Sequence, residues 1–253
     1  MGFFSKIFGA TREHKEPQKV RAQYKDSKYF NKELERINLW ISDDDEDFQR
    51  YEEKNGRLEN HHFIEACNIR LQKLQVDYTK GEPIDQLIPT LDAAIDFLLK
   101  ADPQEFKNNS LFIKCCSLLF LVDRLQEHTA AVHRFINAWE NSPIESSFKP
   151  VRLIYFLTGL DNKGISTNDY KPFVVLQKII DLPTHEAGAA LVQYLEEWYS
   201  LHNEEAWYDS HLREWGYTGY WSWEAAAVAK KMELDSSRFK DNPYFPYDIF
   251  LSK

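Results

Sequence analysis

Apolar residues recur at the three- and four-residue spacing of an α-helix along most of this 253-residue chain. The stretch Leu111 to Leu125 is apolar nearly all round, which predicts the central buried helix of the N-terminal half. Phe173 to Ile180 is rich in β-branched side chains and fits either a strand or a helical turn, and the flanking helices favour the turn. The spacing predicts further helices within residues 29–41, 58–74, 87–98, 148–160, 186–199 and 221–232.

Turn-forming residues are few, and this affects the kind of fold that the chain can adopt. Only 9 Gly and 10 Pro occur, which favours long helices over many short strands. We therefore predict an all-α protein of roughly ten helices with short connections. Pro143 and Pro150 bracket small polar residues and mark the best domain boundary. The predicted organisation is a leader (residues 1–20) followed by two packed helical domains (residues 21–142 and 143–253).

The net charge of −9 limits the partners that the chain can bind directly. A phosphate backbone is bound mainly by Lys and Arg, so this charge argues against nucleic acid as a direct partner. An acidic protein can instead occupy the basic cleft of another protein that binds DNA.

Cysteine usage and hydropathy bear on the cellular compartment. Cys67, Cys115 and Cys116 form no disulfide framework and are expected to be buried thiols in a reducing cytosol. The apolar head around Phe3 to Phe8 is too short for a signal-peptide core. The sequence has no stretch of about 20 apolar residues. We therefore predict a cytoplasmic protein with no membrane span.

The segment from Asp181 to Glu224 carries the strongest electrostatic signal of the chain. It holds nine acids and a single base, Arg213, interspersed with Trp and Tyr. Carboxylates can pair with Arg while aromatic faces supply buried area, so the segment suits a surface that binds a basic protein. The alternative is a solvated helix face with core aromatics beneath it. The candidate interface residues are Glu196, Glu197, Glu204, Glu205, Asp209 and Glu214.

A second acidic run follows the first apolar stripe. Acidic blocks often lie at solvated helix ends, and adjacent like charges repel one another unless a cation screens them. Asp43, Asp44 and Asp45 are therefore secondary candidates for contact with a basic protein.

Motifs that would indicate an enzyme do not occur. The eight histidines form no HExxH, and His128 and His133 are five residues apart, off a common helical face. The sequence has no GxSxG and no GxxxxGK[ST]. We predict a protein that is not an enzyme and holds no metal or cofactor. The alternative is an all-α metal-dependent hydrolase whose His and Glu ligands come from distant helices.

Three blocks near the C-terminus combine aromatics with small residues and prolines. In order they are Trp207-Tyr208-x-Ser210-His211, Gly219-Tyr220-Trp221-x-Trp223-Glu224-Ala225-Ala226-Ala227, and Asp241-Asn242-Pro243-Tyr244-Phe245-Pro246-Tyr247-Asp248. Most of these residues are best explained as structure: Trp221 and Trp223 as core, Thr218 or Ser222 as a helix cap, His211 as a loop-positioning hydrogen-bond partner. The third block is best explained as a rigid turn whose aromatics seal the C-terminal domain.

The three blocks resemble the C-terminal domain of the polymorphic nuclease immunity family (PoNi). The residues that carry the resemblance most clearly are Trp207, Tyr208, His211, Gly219, Tyr220, Trp221, Trp223, Glu224, Pro243, Tyr244 and Pro246. Arg21, Asp26 and Tyr29-Phe30 resemble the start of the family's N-terminal domain more weakly, and Leu212 and Leu234 depart from its pattern.

The resemblance implies a bacterial immunity protein used in interbacterial competition. Such a protein would bind and silence a cognate DNase toxin, whose basic DNA-binding cleft suits an acidic partner. The resemblance also implies two consecutive helical domains, and it leaves a homodimer open.

Overall fold

The computed structural model describes residues 19–161 and 169–252. Within them the chain is helical, with no strand, so the all-α prediction is confirmed. Three short 3₁₀ turns accompany the helices, at Ser146–Phe148, Ser210–Leu212 and Ser236–Arg238. The ten α-helices of this part are α1 (Ser27–Asn55), α2 (Asn60–Lys80), α3 (Ile84–Leu98), α4 (Asn109–Leu121), α5 (Leu125–Glu140), α6 (Arg152–Thr158), α7 (Lys171–Ile179), α8 (Thr184–Leu201), α9 (Trp223–Lys231) and α10 (Tyr247–Leu251).

Helix α1 is longer than its apolar stripe indicates. Asp26 caps its start by accepting from Tyr29 N at 2.9 Å, and Gly56 ends it in the left-handed conformation. The acidic run at residues 43–47 therefore lies inside the helix and not at its end. Cations make this tolerable: Asp45 pairs with Arg70 at 2.7 Å and Asp47 pairs with Arg50.

Helix α4 is the central buried helix that the sequence indicates, and it serves both halves of the chain. It packs against α3, α5, α6 and α9. Cys115 and Cys116 on α4 are buried, and the Cys115 Sγ lies 3.8 Å from the Cys67 Sγ on α2. Burial raises the pKa of both α4 thiols, so they act as small hydrophobic groups in this core.

The segment predicted as strand or helical turn, Phe173 to Ile180, is helical and forms α7. The helical alternative is therefore the correct one. Helix α7 packs against α8, and α8 packs in turn against α9. These contacts bring the end of α8 and the start of α9 together beside the segment that joins them.

The proposed domain boundary falls between α5 and α6, and one hydrophobic cluster includes residues from both sides of it. Polar bonds cross it as well, since Lys230 Nζ donates to Leu121 O at 2.7 Å. The division into domains at residues 142 and 143 stays a prediction. Most of the predicted leader lies outside the described residues. No helix in residues 19–161 and 169–252 is both apolar enough and long enough to span a membrane.

Candidate functional site

The segment between α8 and α9, residues 202–222, is built around Tyr220. The Tyr220 hydroxyl contacts the His211 Nδ1 at 2.8 Å and accepts from the His211 backbone N at 3.1 Å. The exposed ring of Tyr24 stacks on His211, with ring centroids 4.2 Å apart. The Trp207 ring lies beside Tyr220 at 5.5 Å, and Tyr208 stacks on Tyr199 of α8 at 4.4 Å. His211 therefore holds this segment in place through Tyr220.

The backbone at Thr218 and Gly219 is attached to helix α2. Thr79 Oγ1 donates to Thr218 O at 2.7 Å, and Gln75 Nε2 donates to Gly219 O at 2.7 Å. Trp221 Nε1 donates to the same Thr79 oxygen at 2.8 Å. Gly219 has a φ of +102°, which only glycine adopts easily. The second family-like block is thus fixed to the N-terminal half of the protein.

Glu224, at the start of α9, gathers hydrogen bonds from three side chains. Its Oε1 accepts from Ser222 Oγ at 2.7 Å, Trp198 Nε1 at 2.8 Å and the Tyr194 hydroxyl at 3.2 Å. Of the two predicted cap residues, Ser222 occupies the N-cap position, but its side chain forms no capping hydrogen bond and donates to Glu224 instead. Glu224 is therefore a structural carboxylate and is not available to a partner.

Two further motif aromatics, Trp223 and Tyr244, pack at the start of α9. Trp223 is 1 % exposed and meets Tyr78 edge-on at 5.0 Å. Tyr244 lies against Trp198 at 5.1 Å, and its backbone oxygen accepts from Ser222 N at 2.8 Å. In the same turn Pro246 is buried and Pro243 is exposed.

The first and last family-like regions also meet. Arg21, in the upstream region that resembles the family, pairs with Asp248 of the third block at 2.7 Å. The same guanidinium donates to Tyr78 O and Glu82 O. The segment before α1 is thereby tied to α2 and α10.

The six candidate acids of the α8 region fall into two groups. Glu205 accepts from the Tyr170 hydroxyl, Asp209 accepts from the Tyr199 hydroxyl at 2.7 Å, and Glu197 accepts from Gln193 at 3.2 Å. The first two bonds tie the segment between α8 and α9 to Tyr170 and to α8, and the third lies within α8. The second group consists of Glu196, Glu204 and Glu214. These three acids are exposed, and their side chains form no hydrogen bond or ion pair with any other described residue.

The three α1 candidates also differ. Asp45 is occupied by Arg70, which it binds through both carboxylate oxygens at 2.7 and 3.0 Å. Asp43 is exposed. Asp44 is partly buried, and burial together with the nearby Glu65 and Asp45 carboxylates raises its pKa.

Helix α1 and the loop after Arg213 meet directly, which joins the two acidic regions. Gly216 N donates to Glu33 Oε2 at 3.2 Å, and Tyr217 N donates to the Tyr29 hydroxyl at 2.8 Å. Lys25 Nζ donates to Arg213 O at 3.0 Å. These bonds place the loop that carries Glu214 along the helix that carries Asp43 and Asp44.

A stack of three side chains lies at this junction. The Arg36 guanidinium lies 4.8 Å from the Trp40 ring and 4.9 Å from the Trp215 ring, and it pairs with the buried Glu33. Trp215 is 59 % exposed and Trp40 is 38 % exposed. Sequence reasoning missed Arg36 and Trp40. Trp40 follows Ile37 by three residues and so resembles a member of the apolar stripe of α1, and the local pattern gives no sign that it is exposed.

Beyond Trp40 the surface opens into a cleft between α1 and α2. The cleft has a volume of about 710 Å³. Its acidic members are Asp44 and Glu65, and Trp40 forms part of its wall. Because Trp40 and Asp44 are four residues apart on α1, the stack and the acidic cleft share one helix face.

A metal centre would require several ligands at one place. Within residues 19–161 and 169–252 no group of three or more His, Cys, Asp or Glu residues is placed to hold a metal ion. Several histidines have backbone partners: His133 Nε2 lies 3.0 Å from Thr158 O, and His202 Nδ1 lies 2.6 Å from Trp198 O.

Comparison with known proteins identifies relatives of the C-terminal part of the chain. Residues 150–249 match the family described as PoNe immunity proteins (PoNi), C-terminal. All three sequence blocks lie within the match, so the resemblance seen in the sequence is confirmed. A search among curated proteins finds no match.

A solved structure is similar in fold. It is described as "The Crystal Structure of Protein PA2201 from Pseudomonas aeruginosa", and it superposes with a TM-score of 0.58 at 16 % sequence identity. The similarity covers 92 % of this chain and 91 % of that chain. At this identity the comparison speaks to the fold alone.

Proposed function

We propose that this chain is an immunity protein that neutralises a cognate antibacterial nuclease toxin by binding it stoichiometrically. The observation that carries the proposal is the match of residues 150–249 to PoNe immunity proteins. The chain acts as a binding partner and not as an enzyme. It acts in the cytoplasm, because a toxin that attacks DNA has to be stopped where the DNA is.

The charge of the chain supports such a partner. A nuclease needs a positively charged cleft to hold its substrate, and the chain carries a net charge of −9. Glu196, Glu204 and Glu214 are exposed acids on or after α8. Opposite charges on two partners accelerate their encounter, so capture of the toxin is fast and slows as salt is added.

Co-expression tests the proposal directly. The nuclease encoded beside the gene for this chain is induced in a susceptible bacterium with and without the chain, and survival is measured. We expect survival with the chain and a one-to-one complex on gel filtration with a catalytically inactive nuclease. Cell death despite co-expression, with no complex, would overturn the proposal.

The structure determines which acids to change. Reversing Glu205 or Asp209 would also break the bonds to Tyr170 and Tyr199. Charge reversal is therefore confined to the triple variant Glu196→Lys, Glu204→Lys, Glu214→Lys. A control with the same change in net charge reverses exposed acids elsewhere: Glu105→Lys, Glu145→Lys and Glu233→Lys. The proposed role of the α8 region predicts a slower association rate for the first triple than for the control.

A further inference from the structure

The Trp215–Arg36–Trp40 stack is an exposed feature that the core does not require. Arg36 is already neutralised by Glu33, which is 3 % exposed, so the stack brings no free positive charge to the surface. Its outward side is aromatic, and the exposed Leu39 and Leu212 belong to the same two segments. Trp and Arg are enriched among the residues that dominate protein interfaces.

The cleft next to the stack has the chemistry of a cation site. Asp44 and Glu65 line it, and neither pairs with a cation among the described residues. Burial is the main cause of the raised pKa of Asp44; the nearby Glu65 and Asp45 carboxylates add repulsion to it, and Arg70 opposes it. A cation placed between Asp44 and Glu65 would relieve this repulsion, and Trp40 lines the same cleft.

We propose that the Trp215–Arg36–Trp40 stack and the adjoining α1–α2 cleft form a docking site for an arginine or lysine side chain on the basic surface of the nuclease toxin. The inference rests on the proposed function and specifies where the toxin binds. The cationic group enters the cleft between Asp44 and Glu65, and the two tryptophans pack against the surrounding toxin surface. Charge complementarity favours this occupant, because an acidic cleft beside exposed aromatics suits a cation on an aliphatic stem.

The test measures binding of the catalytically inactive nuclease to full-length variants. The cleft variant is Asp44→Asn with Glu65→Gln, which removes two charges and keeps the shape of both side chains. Its matched control is Glu35→Gln with Glu46→Gln. These changes remove the same charge from exposed positions on the face of α1 opposite Asp44. A third variant, Trp215→Ala, removes the outer ring of the stack.

We expect the cleft variant and Trp215→Ala each to weaken binding about tenfold or more. The control should weaken it only by the small effect of net charge. Thermal melts check that the variants fold. If the cleft variant and Trp215→Ala bind as tightly as the control, the docking site is wrong while the immunity function stands.

Two other outcomes separate the two proposals. If the unchanged chain fails to bind the nuclease, the proposed function fails and the docking site fails with it. If the unchanged chain is a dimer in light scattering and Trp215→Ala makes it a monomer, a second copy covers the stack. That result would overturn the docking site without touching the immunity function.

Discussion

Thr79 on α2 confines the backbone at Gly219. Its hydroxyl donates to Thr218 O and accepts from Trp221 Nε1, so it lies directly beside the glycine. A Cβ on Gly219 would fall well inside van der Waals contact of both Thr79 Oγ1 and Trp221 Nε1. The glycine is therefore required twice, by its φ of +102° and by the space it leaves.

We expect Gly219→Ala to lower the free energy of unfolding by about 3 kcal/mol, because it combines an unfavourable φ with a steric clash. Gly216→Ala is the matched control. Gly216 also has a positive φ, of +88°, but an added Cβ there would meet nothing within 4 Å. Gly216→Ala should lower the free energy of unfolding by only about 1 kcal/mol. Urea unfolding of both variants measures the difference, and equal losses would show that Thr79 does not restrict this position.

Glu224 is expected to contribute to stability as an acceptor. Replacing it by Ala leaves the donors of Ser222, Trp198 and Tyr194 without their partner, and we expect a loss of about 3 kcal/mol. Glu224→Gln keeps an accepting oxygen and should lose less. Glu196→Ala, at an exposed position of the adjacent helix, should change stability by no more than about 0.5 kcal/mol. Denaturation midpoints compare the three, and a Glu224→Ala variant as stable as Glu196→Ala would contradict the structural role.

The tryptophans should separate into core and surface residues. Trp223→Ala removes a ring that is 1 % exposed and should cost about 3–5 kcal/mol through the cavity it leaves. Trp215→Ala removes a ring that is 59 % exposed and should cost no more than about 1 kcal/mol. Thermal melts distinguish the two variants. A melting temperature unchanged in Trp223→Ala would contradict the packing around α9.

Alkaline pH should destabilise the protein. Burial raises the pKa of Tyr29 from 10.0 to about 12, despite the hydrogen bond from Tyr217 N, which lowers it. Above pH 10 the unfolded chain loses this proton while the folded chain keeps it, so the free energy of unfolding falls between pH 10 and 12. Urea unfolding across this range measures the slope. Tyr29→Phe should make the slope shallower, and an identical slope would show that Tyr29 does not contribute to it.

Local pattern was sufficient to predict most of the helices. Periodic apolar residues and the Gly and Pro residues between them placed α2, α3, α4 and α8 close to their observed ranges. The end of α1 could not be predicted from the same pattern. Its acidic run stays helical because Arg70, on another helix, pairs with Asp45, and a local pattern contains no such partner.

The candidate surface was predictable only in part. The acids of the α8 region looked equivalent in the sequence, but Tyr170 and Tyr199 occupy Glu205 and Asp209 through tertiary contacts. Arg36 between Trp40 and Trp215 depends on α1 lying against the loop after Arg213. Residues so far apart along the chain carry no local sign that they will meet.

Helix α9 ties the family-matched region to the rest of the molecule. Four of its side chains are fully buried alanines, Ala225, Ala226, Ala227 and Ala229, and α9 packs against α4, which precedes residue 150. In a fragment that lacks α4, these small side chains could not fill the space that α4 leaves empty. The family match, residues 150–249, is therefore shorter than the length of chain that has to be expressed intact for this region to fold.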